Sequence, residues 1–273
     1  MTSDPAPVVL ADSATDLDEG WAGKVVVCAS HGGRYPAALA ARFGVRAIAL
    51  NDAGVGLDGA GVAGLALLDE HGIPAVGVHH RTARLGDAAD TMARGRVSHL
   101  NAAAERLGCT VGMTVADAAG LLARKAPPSR PADVDAGEAR HLVLEGPPAV
   151  WALDSASLVN AGDAGAVVLT GSHAGLIGGD PARALKADAL AAVFNDAGAG
   201  DDEAGLTRLP ALDARGIPAA AVAAGSARIG DGRSTYADGV LSAVNSTARS
   251  LGASEGMAAR DFVDLVINNM VRT

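Results

Sequence analysis

The sequence contains few aromatic residues and few cysteines. Its 273 residues include three Phe, two Tyr, two Trp and two Cys. Stacking of bases or sugar rings on aromatic side chains is therefore not expected as the main mode of recognition. Cys28 and Cys109 can form neither a disulfide framework nor a CxxC metal site. We expect two packed thiols in a cytoplasmic protein.

Basic clusters, targeting segments and long apolar runs are also missing. The chain has 22 Lys and Arg against 31 Asp and Glu, and no cationic cluster that would bind nucleic acid. No Lys or Arg precedes Lys24, whereas a signal peptide begins with positive charge. No uncharged apolar stretch is long enough to span a membrane. We therefore expect neither a nucleic-acid nor a membrane partner.

The chain is rich in small and apolar residues. Apolar residues make up 49% of it, and 35 residues are Gly. This composition is too hydrophobic for a disordered chain, and the length suits one large domain or two of ordinary size.

The sequence contains an internal repeat. Residues 45–113 align without a gap on residues 189–257, and 31 of these 69 positions are identical. Prolines are concentrated between the two copies, as is typical of a linker. The pattern predicts a tandem duplication with pseudo-two-fold related halves. We place the first α/β repeat at 1–126, a Pro-rich linker at 127–147 and the second repeat at 148–273.

Short apolar runs alternate with helical patterns in each copy. In the first copy we predict strands at 25–28, 45–50 and 74–78, with an extra one at 8–10, and helices at 36–43, 57–71 and 90–107. The last helix is predicted from an apolar stripe with intervals of 4, 3, 4 and 3 residues: Ala93, Val97, Leu100, Ala104 and Leu107. Continuous apolar strands separated by helices indicate a parallel sheet covered on both faces. Each copy is thus predicted to be a small doubly wound unit, Rossmann-like or flavodoxin-like.

Ligands of such sheets bind beyond the carboxyl ends of the strands, and polar loops follow these ends here. The first loop, and its counterpart in the second copy, supply Ser30, His31, Gly32, Gly33, Ser172, His173 and Gly175. We interpret the Ser and His residues as candidate catalytic groups, beside glycines that allow close backbone approach. The alternative is that Ser caps a helix and His fills a turn.

The second loop contains Asn51 and Asp52, which recur as Asn195 and Asp196. Each carboxylate is a candidate general base or a group that orients a His, and the Asn residues are candidate substrate contacts. The alternative is ordinary turn chemistry. A GxGxxG pattern begins at Gly54, but the second copy loses the third Gly and gains acidic residues, so we predict no dinucleotide and no other cofactor.

The third loop contains Arg84 and, in the second copy, Arg228. An Arg on a site loop suits the binding of a carboxylate or phosphate, and Ser226, Asp231 and Arg233 are further candidate substrate contacts in the second copy. The alternative is an ion pair with a neighbouring Asp that stiffens the loop.

The histidines are distributed unevenly. His79 and His80 are candidate substrate contacts in the first copy, and Ala replaces both in the second. Neighbours on a strand point to opposite faces, so we expect only one of them at the site. His31, Asp52 and one of this pair could bind a metal, but no metal-binding spacing supports it, and we predict no metal ligands.

The polar loops favour an enzyme acting on a small, polar, anionic metabolite, with its site between the repeats. Hydrolysis of an amide or ester bond is our first hypothesis, and isomerisation or lyase chemistry by proton transfer is the second. A third hypothesis is a non-catalytic small-molecule-binding or regulatory protein. The sequence leaves open a homo-oligomer.

Overall fold

The computed structural model describes residues 4–135 and 137–272. The chain divides into two compact units, each with one β-sheet. Unit 1 comprises the chain up to Gly54, Gly59–Gly137 and Gly200–Asp202. Unit 2 comprises Val55–Asp58, Glu138–Ala199 and the chain from Glu203 onward. The main boundary, between Gly137 and Glu138, falls within the segment predicted as a linker.

Unit 1 is an alternating α/β structure. In chain order its elements are β1 (Val8–Ala11), β2 (Val25–His31), α1 (Arg34–Arg42), β3 (Ala47–Asn51), α2 (Gly64–Glu70), β4 (Ala75–Val78), α3 (Ala88–Arg94), β5 (Val97–Leu100), α4 (Ala102–Arg106) and α5 (Val115–Lys125). The sheet order is β1-β2-β3-β4-β5. The first four strands are parallel, as expected, whereas β5 pairs with β4 in the antiparallel direction.

Unit 2 has a six-stranded sheet. Its elements are β6 (Arg140–Leu144), β7 (Val150–Leu153), β8 (Val167–His173), β9 (Ala191–Asn195), α6 (Arg208–Asp213), β10 (Ala219–Val222), α7 (Gly232–Ala237), β11 (Leu241–Val244), α8 (Ser246–Ser250) and α9 (Ala259–Arg272). The sheet order is β11-β10-β9-β8-β7-β6, with both edge strands antiparallel to their neighbours. Part of the predicted linker therefore forms β6.

Helices cover both faces of the sheet in unit 1. On one face Val26 and Ile48 pack in a core with Leu68 of α2. On the other face Val25 and Ala47 pack with Leu122 of α5. Alternate residues of one strand thus enter different cores, as the period of two requires. This explains why the buried strands are continuously apolar.

The single long helix predicted at 90–107 is wrong. The segment instead forms α3, β5 and α4, and the equivalent segment of unit 2 forms α7, β11 and α8. Gly95 ends α3 with a non-helical backbone, and a Cβ there would collide with the Thr91 carbonyl oxygen. Asn101 then caps α4 through the Ala104 N–H. The apolar residues that suggested a single helix belong to separate elements.

The predicted helix at 57–71 is also shorter than expected. Only Gly64–Glu70 is α-helical, and Leu57–Gly59 forms a separate 3-10 turn. None of the helices in the described part of the chain has the length and apolar character needed to cross a membrane.

Candidate acid–base site in unit 1

A buried carboxylate lies at the carboxyl ends of β3 and β4. Asp52 directly follows β3 and is 1% exposed. Its Oδ1 accepts hydrogen bonds from the backbone N–H groups of Gly54 (3.1 Å) and His80 (3.0 Å), and lies 2.8 Å from His80 Nδ1. Its Oδ2 accepts a hydrogen bond from Ser98 Oγ at 2.8 Å. The carboxylate is thus fixed on both oxygens.

These hydrogen bonds keep Asp52 ionised. Burial alone would raise the pKa of Asp52, but the hydrogen bonds from His80 and Ser98 outweigh burial and hold the pKa below its ordinary value. A carboxylate that has a lowered pKa and already accepts four hydrogen bonds is a weak base. Asp52 is therefore suited to orienting His80.

The carboxylate sets the tautomer of His80. An ionised carboxylate only accepts hydrogen bonds, so His80 Nδ1 carries the proton of the 2.8 Å contact. In the neutral ring Nε2 is then unprotonated and can accept a proton. The His80 side chain is 17% exposed, so part of it is in contact with solvent.

A second hydrogen-bond chain ends on the same carboxylate. Ser98 Oγ uses its only proton towards Asp52, so His99 Nδ1, 3.0 Å away, donates to Ser98 Oγ. His99 lies on β5 opposite Gly77 of β4, and a Cβ at Gly77 would be 3.0 Å from the His99 Cβ. The absence of a side chain at Gly77 thus leaves room for the Cβ of His99.

His79 stacks on His80, contrary to the expectation that the two would point apart. Their ring centroids are 4.6 Å apart and the ring planes differ by 14°. Both residues lie beyond the end of β4, so the strand alternation does not apply to them. His79 Nδ1 accepts the Arg81 N–H at 3.1 Å, which places the proton of the neutral ring on Nε2. The stacked pair therefore combines a proton donor and a proton acceptor.

A left-handed backbone turn supports the carboxylate. Ala53, Gly54, Val55 and Gly56 all have positive φ, between 49° and 71°. This conformation is rare for a β-branched residue such as Val55 and costs on the order of 1 kcal/mol or more per non-glycine residue. The Asp52 carboxylate holds the turn through the Gly54 N–H.

The same residues form a group that could hold a metal ion. Asp52, His79 and His80 each place one potential ligand atom within 4.8 Å of the others. A tetrahedral zinc ion needs neighbouring ligand atoms about 3.4 Å apart. It would also have to replace the proton on His79 Nε2 or the Arg81 contact at Nδ1. A metal ion would therefore compete with the hydrogen bonds at Nδ1 of both rings.

The predicted catalytic serines have structural partners. Ser30 Oγ accepts the Ala14 N–H at 2.8 Å, and Ser172 Oγ accepts the Ala156 N–H at 2.9 Å. His31 Nδ1 accepts the Gly33 N–H at 3.2 Å, and His173 Nδ1 accepts the Gly175 N–H at the same distance. Each His thus bonds within its own turn, whereas each Ser bonds to a residue sixteen positions earlier in the chain.

Burial lowers the pKa of His31 to about 4, so its ring is neutral at pH 7. Within the described residues, neither Ser30 nor His31 is hydrogen-bonded to Asp52. Gly32 donates its N–H to the Asn51 carbonyl at 2.7 Å, and Gly33 precedes α1 as its N-cap.

The asparagines also stabilise turns. Asn51 Oδ1 accepts the Ala53 N–H, and Asn195 Oδ1 accepts the Ala197 N–H, both at 2.9 Å. Both side chains are almost fully buried, which leaves them little access to a substrate.

The two predicted anion-binding arginines are paired with carboxylates. Within unit 1, Arg84 Nη2 lies 2.7 Å from an Asp202 oxygen and Nη1 lies 3.7 Å from Asp90. Within unit 2, Arg228 Nε donates to Asp58 at 2.8 Å. The ion-pair alternative thus describes both, although the acidic partners differ from those expected.

The other predicted contacts of unit 2 do not join a histidine cluster. Ser226 Oγ donates to the Ala223 carbonyl, and Asp231 caps α7 through the Ser234 N–H. Arg233 is exposed on α7. Asp196 is 8% exposed and accepts hydrogen bonds from the Gly198 and Ala224 N–H groups.

Sequence reasoning missed three residues beside the cluster. Ser98 and His99 were assigned to a helix, although Gly95 was a usable sign of a break. Arg81 follows the stacked histidines, is exposed, and has no ion pair among the residues that the structure describes. The sequence does contain a sign of this cluster, because Ala or Gly replaces His79, His80, Arg81 and His99 at the aligned positions of unit 2.

No known protein family, curated protein or solved structure matches this chain.

Proposed function

We propose that the protein is an enzyme that transfers protons on a small, polar, anionic metabolite, with His80 as the catalytic base. The observation that carries this proposal is the Asp52–His80 pair, in which a buried carboxylate fixes the proton of the ring on Nδ1. A base of this kind contributes about 10²- to 10⁴-fold to a rate.

The neighbouring groups supply the complementary functions. His79 Nε2–H is a proton donor beside the His80 acceptor, so one ring can protonate an oxygen while the other removes a proton. The unpaired guanidinium of Arg81 suits the carboxylate of an anionic substrate. Arg84 is engaged with Asp202 and is a weaker candidate for this role.

Proton transfer is favoured over a serine nucleophile. Ser30 Oγ is engaged by the Ala14 N–H, and the proton of Ser98 Oγ points to Asp52. Neither contact delivers a serine proton to a histidine base, as nucleophilic catalysis requires. The isomerase or lyase hypothesis thus has better support than hydrolysis through serine.

Hydrolysis of an amide or ester through a water molecule is the second candidate. The His80 side chain is 17% exposed, and a water molecule bound at Nε2 would be activated there. Both reactions assign the same role to His80 and differ in the bond that breaks.

The remaining parts of the proposal rest on the sequence. The 31 identities across 69 aligned positions support a tandem duplication of a Rossmann-like unit. Only the first repeat has histidines at the positions of His79, His80 and His99, so we assign catalysis to it. The acidic, cysteine-poor composition supports a cytoplasmic enzyme without a nucleic-acid partner.

The proposal is tested with a panel of small carboxylates that contain acidic C–H bonds, such as 2-oxo and 3-oxo acids. The full chain is incubated with each compound in D₂O, and loss of the C–H signal is followed by proton NMR. A parallel panel of amides and esters is assayed for hydrolysis. We expect turnover of at least one compound, and a loss of about 100-fold or more in H80Q.

Two matched variants complete the experiment. H71Q changes an exposed histidine, and S30A removes a hydroxyl that we consider structural; both should retain the rate. An active wild-type protein whose H80Q variant keeps its rate would contradict the proposal. So would saturable binding of several compounds without turnover, which would favour a binding protein.

A further inference from the structure

Unit 2 contains a buried carboxylate that lacks the histidine partners of Asp52. Asp196 is 8% exposed, and its Oδ1 accepts the N–H groups of Gly198 and Ala224, both at 2.8 Å. Asp52 Oδ1 receives the two equivalent backbone donors in unit 1. Asp196 Oδ2, however, has no hydrogen-bond donor among the described residues.

This second oxygen remains within reach of solvent. Every completely buried side-chain oxygen or nitrogen in the described part of the chain has a hydrogen-bond partner. Asp196 Oδ2 has no such partner, so it is not completely buried and must keep some accessible surface. A carboxylate that is more than nine-tenths buried, with one free and reachable oxygen, is a strong acceptor for an incoming N–H donor.

The strands beside Asp196 are paired in the same way as the strands beside Asp52. The pairing of β10 with β11 sets Ala221 opposite Ala243, just as β4 and β5 set Gly77 opposite His99. Both pairs of strands shift register at the next residue.

In unit 2, methyl groups replace the histidine side chains that lie near Asp52 in unit 1. Ala223, Ala224 and Ala243 stand at the positions that align with His79, His80 and His99. Ser242 donates to the Ala221 carbonyl at 3.3 Å, whereas Ser98 donates to Asp52. Three rings that surround Asp52 thus have no counterpart beside Asp196.

The chain next to the contact between Ala224 and Asp196 is partly exposed. Gly56 lies against the Ala224 carbonyl, so that side is closed. Gly225 and Ser242 are exposed, and a Cβ at Gly225 would meet no atom within 4 Å. Gly225 directly follows Ala224, whose N–H donates to Asp196, so the chain next to this contact is exposed to solvent.

We propose that unit 2 binds a small organic cation of imidazolium size, whose N–H groups donate to the Asp196 carboxylate. The cation replaces the imidazole N–H and the hydroxyl that Asp52 receives from its own unit. Opposite charge and a partly desolvated acceptor favour a cationic donor over a neutral one. This site is distinct from the acid–base cluster of unit 1 and does not depend on it.

The test is a titration of the ¹⁵N-labelled full chain with imidazole at pH 6, where a ring of ordinary pKa is mostly protonated. Sodium chloride at equal concentration is the salt control. The backbone amides of Gly198 and Ala224 report on the site, because both donate to Asp196. We expect saturable shifts of these two signals with imidazole and none with the salt.

Three variants make the result specific. D196N keeps the Oδ1 acceptor for the backbone but removes the charge, and should weaken binding at least tenfold. A224H places an imidazole at the site and should also abolish the saturable shift, which provides a second test if D196N does not fold. D188N removes a charge from an exposed side chain and should bind like the wild type.

Saturable shifts that disappear in D196N or A224H would support the site. Absence of saturable shifts at Gly198 and Ala224 in the wild type would overturn the proposal. So would an affinity for imidazole in D196N and A224H equal to that of the wild type.

Discussion

His80 Nδ1 lies 2.8 Å from Asp52 Oδ1, and the same oxygen accepts the backbone N–H of His80. His80 thus donates two hydrogen bonds to one buried carboxylate, and these fix both its backbone and its ring. The ring cannot rotate without losing a charge-assisted hydrogen bond. This pairing gives His80 one defined proton-accepting atom, Nε2.

The tautomers of the cluster can be measured directly. Proton–nitrogen correlation spectra of ¹⁵N-histidine-labelled protein should show, near pH 8, that His80 is protonated on Nδ1 and His79 on Nε2. The reason is that Asp52 accepts from His80, whereas His79 Nδ1 accepts from the Arg81 N–H. In D52N the preference of His80 should weaken. A wild-type His80 protonated on Nε2 alone would contradict the hydrogen-bond assignment.

His31 should make the stability of the protein depend on pH. Its folded pKa is lowered to about 4, whereas in the unfolded chain the pKa is about 6.5. The unfolded state therefore binds more protons between these values, and the free energy of unfolding should fall as pH decreases from 6.5 to 4. The slope is at most about 1.4 kcal/mol per pH unit.

His31→Asn provides the comparison, because Asn can still accept the Gly33 N–H but does not titrate. Urea unfolding at several pH values should show a flatter profile for this variant than for the wild type. His71→Asn, at an exposed position, should keep the wild-type profile. Equal pH dependence in His31→Asn and the wild type would show that His31 is protonated normally in the folded state.

Both cysteines should react slowly with thiol reagents. Cys28 is fully buried, and burial raises its pKa to about 11; burial also raises the pKa of Cys109. Little thiolate therefore forms at pH 8, and access is blocked. A colorimetric disulfide reagent should label neither thiol in the folded protein and both in denaturant. Rapid labelling of one thiol under native conditions would disagree with this packing.

Arg208 should be important for the stability of unit 2. It is 4% exposed, and its guanidinium donates to the carbonyls of Gly175, Arg183 and Ala184. Burial lowers its pKa to about 10, so it is still charged at pH 7. R208M would leave these carbonyls without their donor and should cost about 2 to 4 kcal/mol.

Urea denaturation measures this cost, and Arg183→Met, in an exposed turn, is the control. A midpoint for R208M within experimental error of the wild type would mean that the carbonyls find other donors.

The sequence predicted the strands better than the site. Apolar runs such as 25–28 and 74–78 marked β2 and β4, because a strand covered on both faces must be apolar throughout. Asp52 was identified because polar residues that follow parallel strands meet at one sheet edge. Ser98 and His99 were not, because Val97 and Leu100 fit a helical period by coincidence.

Long-range partners were not visible in the sequence. The Ser30 hydroxyl is engaged by Ala14, sixteen residues away, and nothing local indicates that contact. The stacking of His79 on His80 depends on where β4 ends, and element ends are set by tertiary pairing more than by local propensity. The roles of individual polar side chains therefore required the structure.

The most direct test of the account compares D52N with D163N on a compound that the wild-type protein turns over. Both remove a buried carboxylate, and Asp163 belongs to unit 2, where it pairs with Arg140. Folding of each variant is checked by circular dichroism. We expect kcat to fall about 100-fold or more in D52N and to stay within a few-fold of the wild type in folded D163N. A folded D52N with wild-type kcat would contradict this expectation.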